Sequence, residues 1–284
     1  MATTTDLFMI TCITNMHAGS GGTNYGIIDN LVQRDPATGY PTIHATSLKG
    51  ALREFFESNF YPKQKVTKDV KEVEETHEVV KHIFGSDVNE GGDKTAPGKY
   101  KFFSAHLLSI PVRSNKKPYF NATSPKAVNE FVSFSDIAQV AMHNDKKDTL
   151  REFAKLSGTC LIFENIANAM IEGKNATFIT IDTTMRERVE TFIGKYAVLF
   201  NDAAFAELID GLPVIARNQL ENGISNNLWY EEIVPRQSRF YFAVMHDGKH
   251  FEEFKTKLES KMVQIGANAT VGYGFCKIEK LSTP

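Results

Sequence analysis

His17 and Asp29 are two residues whose side chains could take part in catalysis. A histidine can act as a general base near neutral pH, and an aspartate can hold a hydrated magnesium ion or orient a nucleophile. Their spacing proves neither role, because a loop histidine is more often structural or solvent-exposed. Asp29 precedes Asn30, and the two could equally form a turn in which both side chains bond to nearby backbone N–H groups.

Glu231 and Glu232 are further candidate acidic groups, and they follow Trp229 and Tyr230 at a predicted strand end. Adjacent residues of a strand point to opposite faces, so at most one of these carboxylates can join a shared site. From spacing alone an exposed acidic pair is favoured. No second histidine lies at zinc-ligand spacing from His17, and GxSxG and HExxH motifs are absent from the sequence, so serine-triad and zincin hydrolysis have no support.

Lys49 and Arg53 are four residues apart and would share one face of a helix near its N-terminus. Thr46 or Ser47 can cap this helix. Its predicted apolar face consists of Leu48, Leu52, Phe55 and Phe56. Two cations at this end oppose the helix dipole, which favours a solvated face. The alternative is that the cations and the unpaired N–H groups of the first turn bind phosphate together.

Two glycine-rich segments, Gly19-Ser20-Gly21-Gly22 and residues 264–274, would let a ligand approach the backbone closely. The first lacks the GxxxxGK[ST] pattern of a P-loop, and neither has GxGxxG between a strand and a helix. Mononucleotide and dinucleotide cofactor sites are therefore set aside.

The elements that would position these residues follow from hydrophobic patterning. Strands are predicted over residues 7–13, 101–112, 239–245 and 275–278, the first of them central. An amphipathic helix is predicted from Phe251, Phe254, Leu258 and Met262. The order of elements is strand, loop and helix at one end of the chain and strand, helix, glycine loop and strand at the other. This order fits an α+β fold with a split βαβ, ferredoxin-like core carrying insertions.

The insertions are predicted at about residues 57–100 and 136–213 of a single domain. The first would contain a charged helix over residues 63–84, ended by Gly85, and a polar loop over residues 89–98. The apolar positions of that helix would be Val66, Val70, Val73, Val80 and Ile83. The second mixes short helices and strands. A β-hairpin is predicted at about residues 214–230, turning at Glu221-Asn222-Gly223.

The loop over residues 113–120, Arg113-Ser114-Asn115-Lys116-Lys117-Pro118-Tyr119-Phe120, is both basic and aromatic. It could be a stacking and phosphate-binding surface, or a mobile surface loop.

Composition limits the possible functions. The chain has 284 residues, is 42% hydrophobic and has a formal net charge of −2, which excludes a strongly basic nucleic-acid binder. Any RNA would have to lie in a local groove. The cysteines Cys12, Cys160 and Cys276 are far apart, which argues against structural zinc and fits a reducing cytoplasm. With no signal-peptide pattern and no long apolar run, we expect a cytoplasmic location and no membrane partner.

Several blocks of sequence resemble the RAMP superfamily of CRISPR effector proteins, which act in antiviral defence. They resemble most closely the fourth-subunit family of the Cmr complex, the backbone of type III-B complexes. The blocks are TNMHAGSG at residues 14–21, GIIDN at 26–30, QRD at 33–35, GYPTI at 39–43, SLKGALR at 47–53, LWYEE at 228–232 and the glycine loop at 264–274. Ala18 and Asn268-Ala269 depart from the common pattern without touching the proposed chemistry.

The resemblance implies an RRM-like variant of the ferredoxin core, whose hairpin is a thumb that interrupts a guide–target duplex. Copies of the chain would stack along one CRISPR guide RNA with other Cmr subunits, and each would act as an endoribonuclease that cuts single-stranded target RNA once. Asp29 would be the catalytic aspartate, His17 and Glu231 its helpers, and Lys49 and Arg53 would hold the guide. Further RNA contacts are predicted at Arg34, Ser20, Gly21, Arg217, Asn268 and Gly272.

The cofactor implied is a divalent metal, Mg²⁺ or Mn²⁺, near Asp29. One alternative is a non-catalytic backbone subunit that only binds guide RNA, for which the carboxylate of Asp29 would be dispensable. A free-standing RNA-processing endonuclease is a weaker alternative, because the chain lacks the extra basic surface that such work favours.

Overall fold

The computed structural model describes residues 3–21, 26–68, 71–86, 96–140 and 142–281. Its helices are α1 (Ala45–Asn59), α2 (Glu78–Phe84), α3 (Pro125–Ile137), α4 (Asn144–Ala154), α5 (Thr183–Ile193), α6 (Asp202–Asp210) and α7 (Phe251–Ser260). Its strands are β1 (Thr4–Cys12), β2 (Thr42–Ile43), β3 (Gln64–Lys68), β4 (Lys71–Glu75), β5 (Lys101–Phe102), β6 (Ala105–Val112), β7 (Phe120–Thr123), β8 (Cys160–Ile162), β9 (Met170–Ile171), β10 (Lys174–Asn175), β11 (Thr177–Phe178), β12 (Ala197–Phe200), β13 (Val214–Glu221), β14 (Ile224–Glu232), β15 (Arg239–His246), β16 (Val263–Gln264) and β17 (Phe275–Lys280).

Four strands in the order β6-β15-β1-β17 form the middle of the largest sheet. Strand β1 pairs antiparallel with β15 and with β17, and β15 pairs antiparallel with β6. Helix α1 lies between β1 and β6 in the chain, and α7 lies between β15 and β17. Each helix therefore connects two parallel strands with one strand between them, which confirms the predicted α+β, ferredoxin-like core.

Strand β1 is continuously apolar from Leu7 to Ile10 because both faces of the sheet are covered there. Phe8 and Ile10 belong to the core beneath α1 and α7, where the rings of Phe56 and Phe254 stack at 5.2 Å. Leu7 points to the opposite face and packs with residues of α3 and α5. A strand buried on both sides shows a continuous apolar run instead of alternation, which is why its central position was predictable.

The predicted helix over residues 63–84 is wrong in its first half. Strands β3 and β4 form an antiparallel hairpin there, and α2 begins only after His77, whose side chain accepts the N–H of Val79. The β-branched residues Val66, Thr67 and Val73 favour a strand over a helix. Val70 and residues 89–95 of the predicted polar loop lie outside the described residues.

The region predicted as an insertion or second lobe, residues 136–213, shares the main sheet with the core. Its strands continue that sheet in the order β11-β8-β12-β7-β6. The predicted strand over residues 101–112 is divided into β5 and β6, and Met262 lies beyond the end of α7 with 55% of its surface exposed.

The predicted hairpin is confirmed and extends to Glu232. Strands β13 and β14 pair with each other as a separate two-stranded sheet. Asn222 and Gly223 both have positive φ, 50° and 81°, as the two central residues of a type I′ turn require. We call this hairpin the thumb.

Two glycines close the C-terminal loop against the segment that follows β1. A Cβ atom on Gly266 would lie 2.4 Å from the carbonyl oxygen of His17, and one on Gly274 would lie 2.0 Å from that of Ile265. The N–H of Ala267 donates to the carbonyl of His17 at 2.9 Å. Both glycines also have positive φ, so other residues would meet a clash and backbone strain together.

Replacement of Gly274 with alanine should lower the free energy of unfolding by about 3 kcal/mol, from overpacking and left-handed strain. Gly272 in the same loop is the matched control, because its φ is +82° but nothing lies within 4 Å of its Cβ position. Its alanine variant should lose only about 1 kcal/mol. Urea denaturation measures both, and equal losses would show that the Gly274 contact relaxes freely.

Candidate functional site

The segment that carries Asp29 lies against the last residues of β14. Asn30 pairs with Glu231 in a parallel bridge, and the carbonyl of Asn30 accepts the N–H of Glu232 at 2.9 Å. The Oδ2 atom of Asp29 accepts the N–H of Tyr230 at 2.7 Å. Asp29 itself is exposed, and its Oδ1 atom makes no hydrogen bond or ion pair with any described residue. The turn-like bonding and an accessible carboxylate oxygen therefore coexist at this residue.

His17 is held by the same strand end and is only 5% exposed. Its Nδ1 lies 2.7 Å from the carbonyl oxygen of Glu232. A carbonyl can only accept, so Nδ1 carries the hydrogen, and in the neutral ring Nε2 has the free lone pair. A Cβ atom on Gly19 would lie 3.0 Å from Nε2. The glycine therefore leaves space beside the one ring nitrogen that could accept a proton.

Glu231 is surrounded by donors. Its Oε2 accepts from Arg217 Nε at 2.8 Å and from Asn268 Nδ2 at 2.9 Å, and its Oε1 accepts from Trp229 Nε1 at 2.9 Å. Burial alone would raise the pKa of Glu231, but hydrogen bonds from Trp229 and Arg217, and the charge of Arg217, hold it below its usual value. Glu231 is thus a permanent anion at neutral pH that positions its neighbours.

Glu232 points to the opposite side of the strand. It accepts the N–H of Val32 at 3.0 Å and forms an ion pair with Arg34. The side chain of Arg34 also donates to the carbonyls of Gly39 and Ile209. Since Glu231 and Glu232 are only 6% and 3% exposed, the interpretation as an exposed acidic pair is wrong. The contacts of Arg34 tie it to the fold, and its predicted role with RNA remains a prediction.

Arg217 links the thumb to the C-terminal loop. Its guanidinium carbon lies 4.4 Å from the ring centroid of Tyr273, in addition to its bond with Glu231. Its Nη2 atom is buried and has no hydrogen-bond partner among the described residues. A buried unpaired donor costs about 1–3 kcal/mol.

Helix α1 begins earlier than predicted. Its N-cap is His44, so Thr46 and Ser47 lie inside the first turn and do not cap it. Gln33 fixes this end, because its Nε2 donates to Ser47 Oγ at 2.8 Å and to the carbonyl of Gly19 at 3.1 Å, while its Oε1 accepts the N–H of His44 at 2.7 Å. One buried amide therefore joins the glycine loop to α1.

The two predicted cations of α1 differ in their surroundings. Lys49 has no hydrogen bond or ion pair with any described residue and is half-buried. Arg53 pairs with Glu57 at 2.8 Å and donates to the carbonyl of Gly85 at 3.2 Å. The geometry leaves the ammonium of Lys49 free for phosphate, while Arg53 also stabilises the packing of α1.

The remaining predicted RNA contacts lie in the two glycine loops. Ser20 and Gly21 are exposed, and the N–H of Ser20 donates to the carbonyl of Leu31. Asn268 has a left-handed backbone and reaches Glu231, and Gly272 is exposed. Gly22 lies outside the described residues. The strand end of Tyr230, Glu231 and Glu232 thus gathers the three predicted catalytic residues with Arg217 and Asn268.

Sequence reasoning considered Glu232 only as the alternative to Glu231, and it missed Gln33, Trp229 and Tyr273 as residues that build the site. The repeated acid after an aromatic pair was a usable signal for Glu232 and Trp229. A single glutamine gives no comparable signal, because its three bonds join segments that are distant in sequence.

The Asp29 carboxylate fits a metal ion only in part. Within the described ranges, no group of three or more His, Cys, Asp or Glu side chains is placed to hold a metal ion. Magnesium needs few protein ligands when phosphate oxygens and water supply the others, so Asp29 could contribute one ligand in a site shared with RNA. None of the described helices is long and apolar enough to cross a membrane.

Known proteins match the chain over nearly its whole length. Residues 9–277 match the RAMP superfamily. The CRISPR system Cmr endoribonuclease Cmr4 of Pyrococcus furiosus is 30% identical, over 94% of this chain and 92% of the relative.

Two solved structures share the fold. A type III-B Cmr-beta complex bound to cognate target RNA contains a chain that superposes with a TM-score of 0.75 at 22% identity, covering 97% of this chain and 96% of that one. Oligomeric Cmr4 of Pyrococcus furiosus superposes with a TM-score of 0.69 at 24% identity, covering 98% and 99%.

The Glu231→Gln variant should lose about 3 kcal/mol of stability at neutral pH, because it leaves Arg217 buried without its counter-charge. The loss should shrink in acid. The pKa of Glu231 is lowered by folding, so its contribution is complete above the unfolded pKa of about 4.3 and disappears as pH falls through the folded value.

Urea denaturation of both proteins from pH 7 to pH 3 measures this difference. The matched control is Glu221→Gln at the exposed tip of the thumb, which should change stability by less than about 0.5 kcal/mol. A constant difference between Glu231→Gln and wild type at all pH values would contradict the assignment of Glu231 as the charged partner.

Proposed function

The chain belongs to the RAMP superfamily and, within it, to the Cmr4 family, and on this basis we propose that it is the guide-RNA-binding backbone subunit of a type III-B CRISPR complex. In this role it cleaves target RNA at regular intervals. The observation that carries the proposal is Asp29, an exposed carboxylate that the backbone of Tyr230 fixes at the root of the thumb. RNA distorted by the thumb would pass this carboxylate.

Cleavage uses the 2′-hydroxyl of the RNA as the nucleophile. The 2′-oxygen bonds to the adjacent phosphorus and the bond to the 5′-oxygen breaks, which leaves a 2′,3′-cyclic phosphate and a 5′-hydroxyl. Nε2 of His17 accepts the proton of the 2′-hydroxyl, and water supplies a proton to the leaving oxygen. Asp29 orients the reacting group, and a divalent ion, Mg²⁺ or Mn²⁺, held by Asp29 and RNA phosphate would stabilise the developing charge.

The grip on RNA is independent of base sequence. Lys49, the N–H groups at the start of α1 and the two glycine loops are suited to contacts with phosphate and sugar. A backbone subunit needs binding that does not depend on base sequence, because it must accept any guide sequence. The partners proposed are guide RNA, target RNA, further copies of this chain and other Cmr subunits. The cytoplasm is the proposed location.

A non-catalytic backbone is the second candidate. Cleavage is favoured by two acceptor atoms at the end of β14, Nε2 of His17 and Oδ1 of Asp29. Neither has a hydrogen-bond partner among the described residues, and a scaffold has no use for such acceptors. An RNA-processing enzyme that acts alone is less well supported, since the free cations near the site are few.

Asp29→Asn should leave guide and target binding unchanged and lower target cleavage at least ~100-fold. The amide oxygen can still accept the N–H of Tyr230, so the loop keeps its place. The assay is single-turnover cleavage of labelled target by the assembled complex with Mg²⁺ or Mn²⁺. Asp210→Asn, the same change at an exposed end of α6, should cleave normally. Undiminished cutting by Asp29→Asn would favour the scaffold.

Lys49→Ala should weaken guide binding without a loss of stability. Removal of one phosphate contact should make the slope of log K against log salt less steep by about 0.7. Arg53→Ala should weaken guide binding and should also lower stability by about 1–2 kcal/mol, because its hydrogen bonds are lost. Filter binding across a salt series and thermal melting separate these effects, and an unchanged salt slope for Lys49→Ala would remove Lys49 from the RNA site.

A further inference from the structure

A cavity of about 710 Å³ opens beside the thumb, outside the site described above. It lies between the end of β6, the loop over residues 113–120 and the segments on either side of the thumb. Its floor is apolar and includes the buried side chains of Ile110, Val112 and Leu212. Its volume is typical of sites for small organic molecules, which span about 300–1,000 Å³.

Three cationic side chains line this cavity. Arg113 pairs with Glu172 at 3.1 Å, and Lys174 pairs with Glu207 at 2.8 Å. The third, Arg236, is exposed, and its guanidinium has no hydrogen bond or ion pair within the described part of the chain. Its backbone N–H donates to Asn15 Oδ1 at 2.9 Å. The cavity therefore presents an arginine whose backbone is held and whose guanidinium can pair with an anion.

Tyr119 supplies an aromatic wall. It lines the cavity and is half-buried, and its hydroxyl has no hydrogen bond with any described residue. A half-buried ring beside apolar side chains is a platform on which a planar group can stack. From sequence, the basic, aromatic loop over residues 113–120 could be such a surface or a mobile surface loop, and the function proposed above makes no use of it.

We propose that this cavity binds one unstacked nucleotide of RNA, with the base on Tyr119 and the apolar floor and the phosphate on Arg236. The choice of RNA rests on the proposed function. An acidic peptide fits less well, because its carboxylate side chains would leave Tyr119 without a planar partner.

The cavity shares two segments with the candidate site. Asn15 precedes His17 by two residues and Arg236 follows Glu232 by four, a separation that an extended chain spans in at most about 14 Å. A nucleotide held here is therefore a close neighbour of the nucleotide at Asp29. The cavity would hold the RNA strand after the thumb has unstacked one of its nucleotides.

Binding of the four ribonucleoside 5′-monophosphates to the purified full chain tests the proposal, by calorimetry and saturation-transfer NMR. All four should bind, since stacking accepts any base. Arg236→Ala should weaken binding about 10-fold by removing a charge-assisted contact, and Tyr119→Leu should weaken it about 10-fold by removing the stacking surface. Arg151→Ala on α4, an arginine that does not line the cavity, is the control and should bind as wild type does.

Three results would overturn the proposal. The first is no binding, or binding that neither variant changes, in proteins that melt as wild type does. The second is inorganic phosphate binding as tightly as the nucleotides with Tyr119→Leu unaffected, which would mean an anion site only. The third is loss of self-association or of acidic-peptide binding in Arg236→Ala with nucleotide affinity intact, which would assign the cavity to a protein partner.

This test is separable from the proposed function. Asp29→Asn should bind the monophosphates normally, because Asp29 is not among the residues that line the cavity. If the wild-type complex fails to cut target RNA while the monophosphates bind as described, the cleavage proposal alone fails. If cutting occurs and the monophosphates do not bind, only the cavity proposal fails.

Discussion

Two consecutive carboxylates, Glu231 and Glu232, are buried at the end of one strand, and the site is arranged around the need to neutralise both. Burial of an unpaired charge costs several kcal/mol, so each carboxylate must be met by donors. Successive strand residues face opposite ways. Glu231 is therefore satisfied by the thumb and the C-terminal loop, and Glu232 by Arg34 and the backbone of Val32. Two parts of the chain that are distant in sequence are drawn to one strand end.

This constraint places the thumb and the Asp29 segment in one unit. Strand β14 is half of the thumb, and its last three residues also bond to Asp29, Asn30 and His17. A rotation of the thumb about its root would carry Asp29 with it, because Tyr230 and Asp29 are joined backbone to side chain. The element that would distort RNA and the carboxylate that would act on it thus keep a fixed relative position, as in-line chemistry requires.

The core was predictable from sequence because its signals are local. A strand buried on both faces, a helix with a continuous apolar face and an Asn-Gly turn each reveal themselves within a few residues, as β1, α7 and the thumb do. The hairpin of β3 and β4 was missed because valines spaced through a charged segment fit helical and strand patterns alike. In the site, Asp29, His17 and Glu231 were named from resemblance, whereas their bonds were not predictable. The roles of Gln33 and Glu232 depend on contacts between segments separated by more than ten and by about two hundred residues, which no short pattern encodes.

The distribution of paired and unpaired groups separates residues that build this site from residues that can act in it. Glu231, Glu232, Arg34 and Arg53 have their hydrogen-bonding atoms occupied by protein partners. A group so occupied would have to break bonds worth about 1–3 kcal/mol each before it could engage RNA. Within the described part of the chain, Oδ1 of Asp29, Nε2 of His17 and the ammonium of Lys49 make no hydrogen bond and carry no such cost. A chain with a net charge of −2 can therefore bind a polyanion, because it needs few cations when those it uses, such as Lys49, are not already paired.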